Sequence, residues 1–288
     1  MMPSRAAARL SSAFIGIIRQ LHHERQPLHL FPSCQHPLLP LPCDATAEDQ
    51  LAPSAIQKTF LESGITKVAF IRHGNTAPAS KDFERTLTEL GRTQSRAAGA
   101  SYGIELYPFH EEALCSSAPR CVETANLFLT SVIETMQQDG IGEYVMPKLS
   151  LQEQLYDGTM QPAGSRLFAE IGYAPIRSYL ENKNLDDAEA AKVVLGSYAR
   201  SSLDILFDAT TRGRNNGAES NVDDKTLLFF AHAVYLPSAA LCLAAALDCN
   251  NGVDLILETN TKEAEGYCID IGVLDVSLLC RSAPFCSA

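Results

Sequence analysis

No apolar stretch in this sequence is long enough to cross a membrane as a helix; the most apolar segments, such as Tyr235 to Leu247, fall short of the ~20 residues a bilayer demands. An excess of positive charge is also missing. Against 34 Asp and Glu stand 23 Lys and Arg, a formal net charge of -11, which excludes a nucleic-acid binder that relies on a basic face. The nine cysteines contain no C-x-x-C and no Cys/His spacing of the zinc type, so no metal site is expected from them. Most read as buried thiols that pack, with Cys121, beside Arg120, the one candidate for a reactive role. What remains is ordinary globular material: 288 residues, 46% hydrophobic and 20% charged, enough for an enzyme core.

The charge is unevenly distributed. Residues 1–43 hold Arg5, Arg9, Arg19 and Arg25, no lysine and a single acid, Glu24. Leu10, Phe14, Ile17, Ile18 and Leu21 share one helical face, with Arg5, Arg9 and Arg19 opposite. An amphipathic, Arg-rich, acid-poor start describes an organelle transit peptide, mitochondrial before plastid, and the Pro-rich run from Pro27 to Cys43 reads as a linker. A secretory signal fits less well, because the apolar run Ala13 to Ile18 is short and arginine follows it. The alternative is a disordered tail with no address, which would leave the protein in the cytoplasm. The division expected is therefore 1–43 as targeting segment and linker, and 44–288 as one catalytic domain.

Within the domain, strands and helices alternate. Val68 to Ile71 reads as a buried strand, Thr86 to Tyr102 as a helix capped by Thr88 and closed by Gly103, and Ala113 to Ser116 as a second strand. A long helix starts at Ser117-Ala118-Pro119 and runs to about Gln138; 145–150 is extended; Leu167 to Leu180 and Ala188 to Ala209 read as helices. After a polar loop over 212–224 come a strand at Thr226 to Phe230, a helix at Leu236 to Leu247, and two β-rich runs, Asp254 to Glu258 and Tyr267 to Val276. The fold class is α/β, with a largely parallel sheet.

In such sheets functional groups collect beyond the carboxyl ends of the strands. The first strand ends in Arg72-His73-Gly74, the second leads through Ser116-Ser117 to Arg120 in a helix's first turn, and the strand at 226–230 ends at His232. Arginine forks match phosphate oxygens, and a helix N-terminus adds donors. A neutral imidazole against that phosphate can attack phosphorus, while arginines lower its pKa and neutralise developing charge. His73 is the natural nucleophile, and Gly74 is expected to let the backbone approach the ligand.

VAFIRHGNT, SSAPRCVETA and LLFFAH resemble, in order, three signatures of the histidine phosphatase (phosphoglycerate-mutase-like) superfamily: R-H-G after the first strand, S-x-x-x-R opening a helix, and a strand-terminal second histidine. The resemblance covers roughly Lys67 to Leu247 and implies a three-layer α/β/α sandwich, a phosphohistidine intermediate, and neither metal nor other cofactor. It makes Arg72 and Arg120 phosphate ligands, His73 the nucleophile, His232 both a phosphate ligand and a transition-state stabiliser, and Thr76 a hydroxyl that touches phosphate. The family's proton donor falls on Glu153 in LSLQEQLYDG, with Asp157 as second choice. Where the family usually has glycine after the second histidine, this chain has Ala233. DFERTLTELGRTQ resembles the D-x-x-R-x-L-T-x-x-G-R-x-Q pattern of short phosphohistidine phosphatases and mitochondrial mutase-like protein phosphatases, and the sequence has no tryptophan, unlike the corresponding loop of glycolytic mutases.

The expected activity is hydrolysis of a phosphomonoester, on a small molecule or a phosphoprotein. Two alternatives stand beside it. One is an inactive phosphate-binding scaffold. The other is a mutase, which would need further basic residues after R-H-G, where only Lys81 and Arg85 are available. Arg85 and Arg92 are read as surface or ion-pair residues in preference to substrate ligands.

Overall fold

The computed structural model describes residues 53–140, 144–156, 168–181, 188–215 and 224–280. The targeting segment and linker expected over 1–43 lie outside these, as does Asp157. A single six-stranded sheet organises the chain: β1 (Ile65–Arg72), β2 (Phe109–Ser116), β3 (Lys148–Gln152), β4 (Lys225–Ala231), β5 (Gly266–Asp270) and β6 (Asp275–Leu279), in the order β3-β2-β4-β1-β5-β6. The first four run parallel; β5 and β6 are antiparallel to their neighbours. The expected mostly parallel α/β sheet is what the chain forms.

The seven α-helices among the described residues are α1 (Pro53–Glu62), α2 (Glu89–Ala98), α3 (Pro119–Gln138), α4 (Ile176–Leu180), α5 (Ala188–Asn215), α6 (Tyr235–Ala246) and α7 (Asn250–Glu258). None of them is long and apolar enough to cross a membrane. Alternation along each strand divides the core in two. Val68 and Phe70 of β1, with Leu227 and Phe229 of β4, meet residues of α1 and α4 to α7 on one face. Ala69, Ile71, Leu228 and Phe230 meet Ala98 of α2 and Phe128, Leu129 and Val132 of α3 on the other. Central strands buried on both faces carry the near-continuous apolar runs seen in the sequence, with helices covering each side as a three-layer sandwich requires.

Three expectations are corrected. Asp254 to Glu258 is not a strand but the end of α7, whose Val253, Ile256 and Leu257 are buried at helical spacing. The single run Tyr267 to Val276 is a hairpin of β5 and β6, bent through residues 271–274. The helix at 167–180 is broken: residues 168–171 form one turn, Gly172 takes a φ of 70° and Pro175 precedes α4. Helix α1 had no counterpart in the sequence reading; it packs Ile56 and Phe60 into the core ahead of β1.

Candidate active site

Strand order decides which residues meet. β4 lies between β1 and β2, so the residues that follow β1 and β4 and the last residue of β2 come together at one sheet edge. The amide of His73 donates to the carbonyl of Ala231 at 3.1 Å, and His232 follows directly. The rings of His73 and His232 stand edge to face, centroids 5.3 Å apart, both buried. Ser116 Oγ lies 2.9 Å from His232 Nε2. Arg120, in the first turn of α3, and Arg72, at the end of β1, are buried beside them.

His73 Nδ1 is 2.8 Å from the carbonyl oxygen of Gly74. A carbonyl only accepts, so Nδ1 carries the proton and Nε2 keeps its lone pair. Burial above all, then the charges of Arg120, Arg72 and Arg85, pushes the His73 pKa down to about 3, with the Gly74 bond opposing the fall. His232 is likewise held well below its usual value by burial and by Arg120, with His73 itself, Arg85 and Arg72 adding. Both imidazoles are therefore neutral at physiological pH.

The two arginines are held alike. Arg120 Nη1 donates to the main-chain oxygen of Asp82 at 2.6 Å and Nη2 to its Oδ2 at 2.7 Å. Arg72 Nη1 donates to the carbonyl of Thr261 at 2.6 Å and Nη2 to Glu263 Oε1 at 3.3 Å. Each guanidinium lies against a tyrosine ring, Arg72 4.7 Å from the centroid of Tyr173 and Arg120 5.8 Å from that of Tyr156. In each, Nε is buried and finds no partner among the described residues.

A brace built from α2 and the loop before it fixes the segment after His73. Thr88 caps α2 by accepting from Gly91 N at 3.0 Å, while its hydroxyl donates to Asn75 Oδ1 at 2.8 Å. Asn75 N donates to Gln94 Oε1 at 2.9 Å. A Cβ on Gly91 would fall 2.1 Å from the carbonyl oxygen of Asn75, and one on Gly74 would fall 2.6 Å from that of Gly91. Gly74 is thus required by the approach of α2, a reason independent of any ligand.

Of the residues singled out from sequence, Arg72, His73, Arg120 and His232 come together. Thr76 stands at the edge of the group, where its hydroxyl accepts from Arg85 Nη2. Glu153 begins a one-turn helix after β3, next to Gln152, which pairs with Ser116. It is exposed, and its carboxylate makes no hydrogen bond or ion pair among the described residues. Cys121 Sγ lies 3.7 and 3.8 Å from the two ring nitrogens of His232. Near-equal distances to both mark packing on the ring, and burial pushes its thiol up to about 12, Arg120 opposing.

Arg92 is the expected ion-pair residue, 2.7 Å from Glu123. Arg85 is more than that. It pairs with Asp82 Oδ1 at 3.2 Å and also contributes to the positive field on both histidines. Sequence reasoning gave Ser116 no role beyond opening S-x-x-x-R, and missed Asp82, Tyr156, Tyr173 and Glu263. Asp82 and Arg85 lay in plain view in the DFERTLT pattern; Glu263 had no signal of its own. Among the described residues no three of His, Cys, Asp or Glu gather to hold a metal ion.

Residues 68–150 match the family model described as histidine phosphatase superfamily (branch 1). No curated protein sequence matches the chain significantly. Among solved structures, similarity extends to a phosphoserine phosphatase from Entamoeba histolytica in complex with 3-phosphoglyceric acid (14% identity, 76% of this chain and 98% of that one, TM-score 0.44). A mycobacterial glucosyl-3-phosphoglycerate phosphatase with inorganic phosphate (14%, 76% and 97%, TM-score 0.37) is also similar. So is the SixA protein of Agrobacterium tumefaciens (15%, 76% and 99%, TM-score 0.39). The matched segment, residues 68–150, is the one that carries His73 and both buried arginines, and over it the chain is similar to the histidine phosphatase superfamily, branch 1.

Proposed function

We propose that the protein is a metal-independent phosphatase that hydrolyses a phosphomonoester, on a small molecule or a phosphoprotein, through a phosphohistidine on His73. The observation that carries this is the state of His73: neutral, its Nδ1–H tied to Gly74, its Nε2 lone pair free, within the field of Arg72, Arg85 and Arg120. Nε2 attacks phosphorus and the bond to the leaving oxygen breaks, with that oxygen taking a proton from Glu153. Water then attacks phosphorus and gives a proton back to the Glu153 carboxylate, the N–P bond breaks with its electron pair returning to Nε2, and inorganic phosphate leaves. Arginine and His232 neutralise the equatorial oxygens in both steps.

Hydrolysis is favoured over phosphoryl re-transfer because few extra basic ligands follow R-H-G, only Lys81 and Arg85. Lys81 reaches out to Glu84 at 3.0 Å, and Arg85 serves Asp82 and Thr76. The test is hydrolysis of para-nitrophenyl phosphate by the full chain in EDTA, wild type against His73→Ala. Chelator-resistant activity that disappears in the variant is the expected result; a folded wild type inert towards several phosphoesters would sink the phosphatase reading. For residues 1–43 we propose organelle targeting, mitochondrial before plastid, which a reporter fusion of that segment tests.

A further inference from the structure

The two buried arginines share one arrangement. A main-chain carbonyl takes Nη1, a carboxylate takes Nη2, a tyrosine ring covers the plane, and Nε is left without a partner. The side chains that do this come from unrelated parts of the chain: Asp82 from the loop before α2, Glu263 from the loop before β5. An orphaned N–H in a side chain that is 3% exposed, as in Arg72, or 4%, as in Arg120, loses its water without compensation, and such groups are rare in folded proteins. A guanidinium gripped at its far end presents its other edge, Nε–H with the neighbouring Nη–H, as a parallel pair that matches two oxygens of one phosphoryl group.

We infer that Asp82 and Glu263 are positioning residues: each clamps the outer end of one arginine so that its Nε edge is held ready for the substrate's phosphoryl oxygens. The inference rests on the phosphatase reading and adds to it the residues that aim its ligands. Asp82 has a double part, because its second oxygen also takes Arg85 Nη1 at 3.2 Å. Both carboxylates are partly open to solvent, 42% for the Asp82 side chain and 29% for Glu263, whereas the arginines they hold are buried, so loss of either leaves a buried guanidinium short of a partner. Preorganised charge of this kind acts on binding and on the transition state together, and a freed arginine must be ordered anew in each.

The two clamps differ in what an amide can replace. Glu263 accepts one bond through Oε1, and glutamine offers the same oxygen. Asp82 accepts through both oxygens, and asparagine keeps only one. The experiment measures binding of inorganic phosphate by calorimetry, kcat and KM on para-nitrophenyl phosphate, and the melting midpoint without phosphate. It uses the full chain and four variants, Glu263→Gln, Glu263→Ala, Asp82→Asn and Asp82→Ala. We expect Glu263→Gln within about 3-fold of wild type in phosphate Kd, Asp82→Asn intermediate, and both alanine variants weaker by roughly 10-fold or more, with kcat falling too; the phosphate-free midpoint also falls in the alanine variants, where a buried guanidinium loses a partner.

Tighter phosphate binding by Asp82→Ala would overturn the inference, since the carboxylate would then be a competitor for the site. So would phosphate affinities of all four variants equal to wild type, measured on protein that is still folded, whatever the midpoint. A wild type that neither binds phosphate nor hydrolyses the ester refutes the phosphatase reading itself. Failure confined to the variants leaves that reading standing.

Discussion

Ser116 Oγ and His232 Nε2, from the last position of one strand and the position after another, lie 2.9 Å apart in a buried setting. Among the described residues the hydroxyl is the closest polar contact on that ring; Cys121 Sγ lies farther off, at 3.7 and 3.8 Å from its nitrogens. Ser116→Ala should leave the fold intact and free His232 to rotate, lowering kcat by about 10-fold with a smaller effect on KM, the pattern of a group that orients a transition-state ligand. Steady-state kinetics checks it, and an unchanged kcat would assign Ser116 to packing.

Acid should destabilise the protein through its neutral histidines. In the unfolded chain an imidazole titrates near the usual 6.5; folded, His73 is pushed down to about 3 and His232 well below its usual value. Above the unfolded value neither state binds the proton and pH has no effect through these groups. As pH falls below it the unfolded chain takes up protons that the folded one refuses, so stability drops, by roughly one kcal/mol per pH unit for each histidine, until the folded values are reached. Urea unfolding from pH 7 to 4.5 measures the slope. The His73→Gln, His232→Gln double variant should flatten it markedly, leaving the buried His110 and the carboxylates to account for the rest.

Cys121 should be chemically silent. Its thiol is fully buried and pushed up to about 12, so almost no thiolate exists at neutral pH. Iodoacetamide applied to the native protein is expected to leave Cys121 unlabelled, as read by peptide mass, and Cys121→Ala to keep activity within about 3-fold of wild type. Labelling of Cys121 with loss of activity would return it to the list of reactive groups.

Gly91→Ala should be costly although the position is a helix interior, where alanine is ordinarily the better residue. The added methyl meets the Asn75 backbone at 2.1 Å, so either the helix or the nucleophile's loop must shift. We expect a loss of roughly 1–3 kcal/mol or more in chemical denaturation, together with reduced kcat.

Much of this site could be read from the chain before any geometry, and the reason is topological. Arg72-His73 and His232 each follow a run of apolar residues that ends abruptly, and a strand buried on both faces announces its own end. Arg120 is placed by Pro119, which marks a helix's first turn. The clamps were not legible, because Asp82 meets Arg120 across 38 positions and Glu263 meets Arg72 across 191, and no local pattern encodes such a meeting. The error at 254–258 has a different origin: a short run of apolar and β-branched residues suits a buried strand as well as a buried helix face, and length is the only arbiter.

The loop between the nucleophile's segment and α2 is pinched at its base. Ala77 N donates to Thr86 O at 3.0 Å, Thr76 bridges Leu87, and Thr88 N donates to Asn75 O at 3.0 Å. Everything between leaves and returns through one narrow neck, as in a compact Ω-type loop, and its outer part carries Asp82 and the exposed Phe83, whose ring meets Tyr156. Such a segment is a cassette: residues 78–81, 83 and 84 can be exchanged while the neck keeps His73 in register and Asp82 and Arg85 keep their hold on Arg120 and Thr76. Selection, or an engineer, could retune what the mouth accepts by rewriting those residues alone, without disturbing the reacting imidazole.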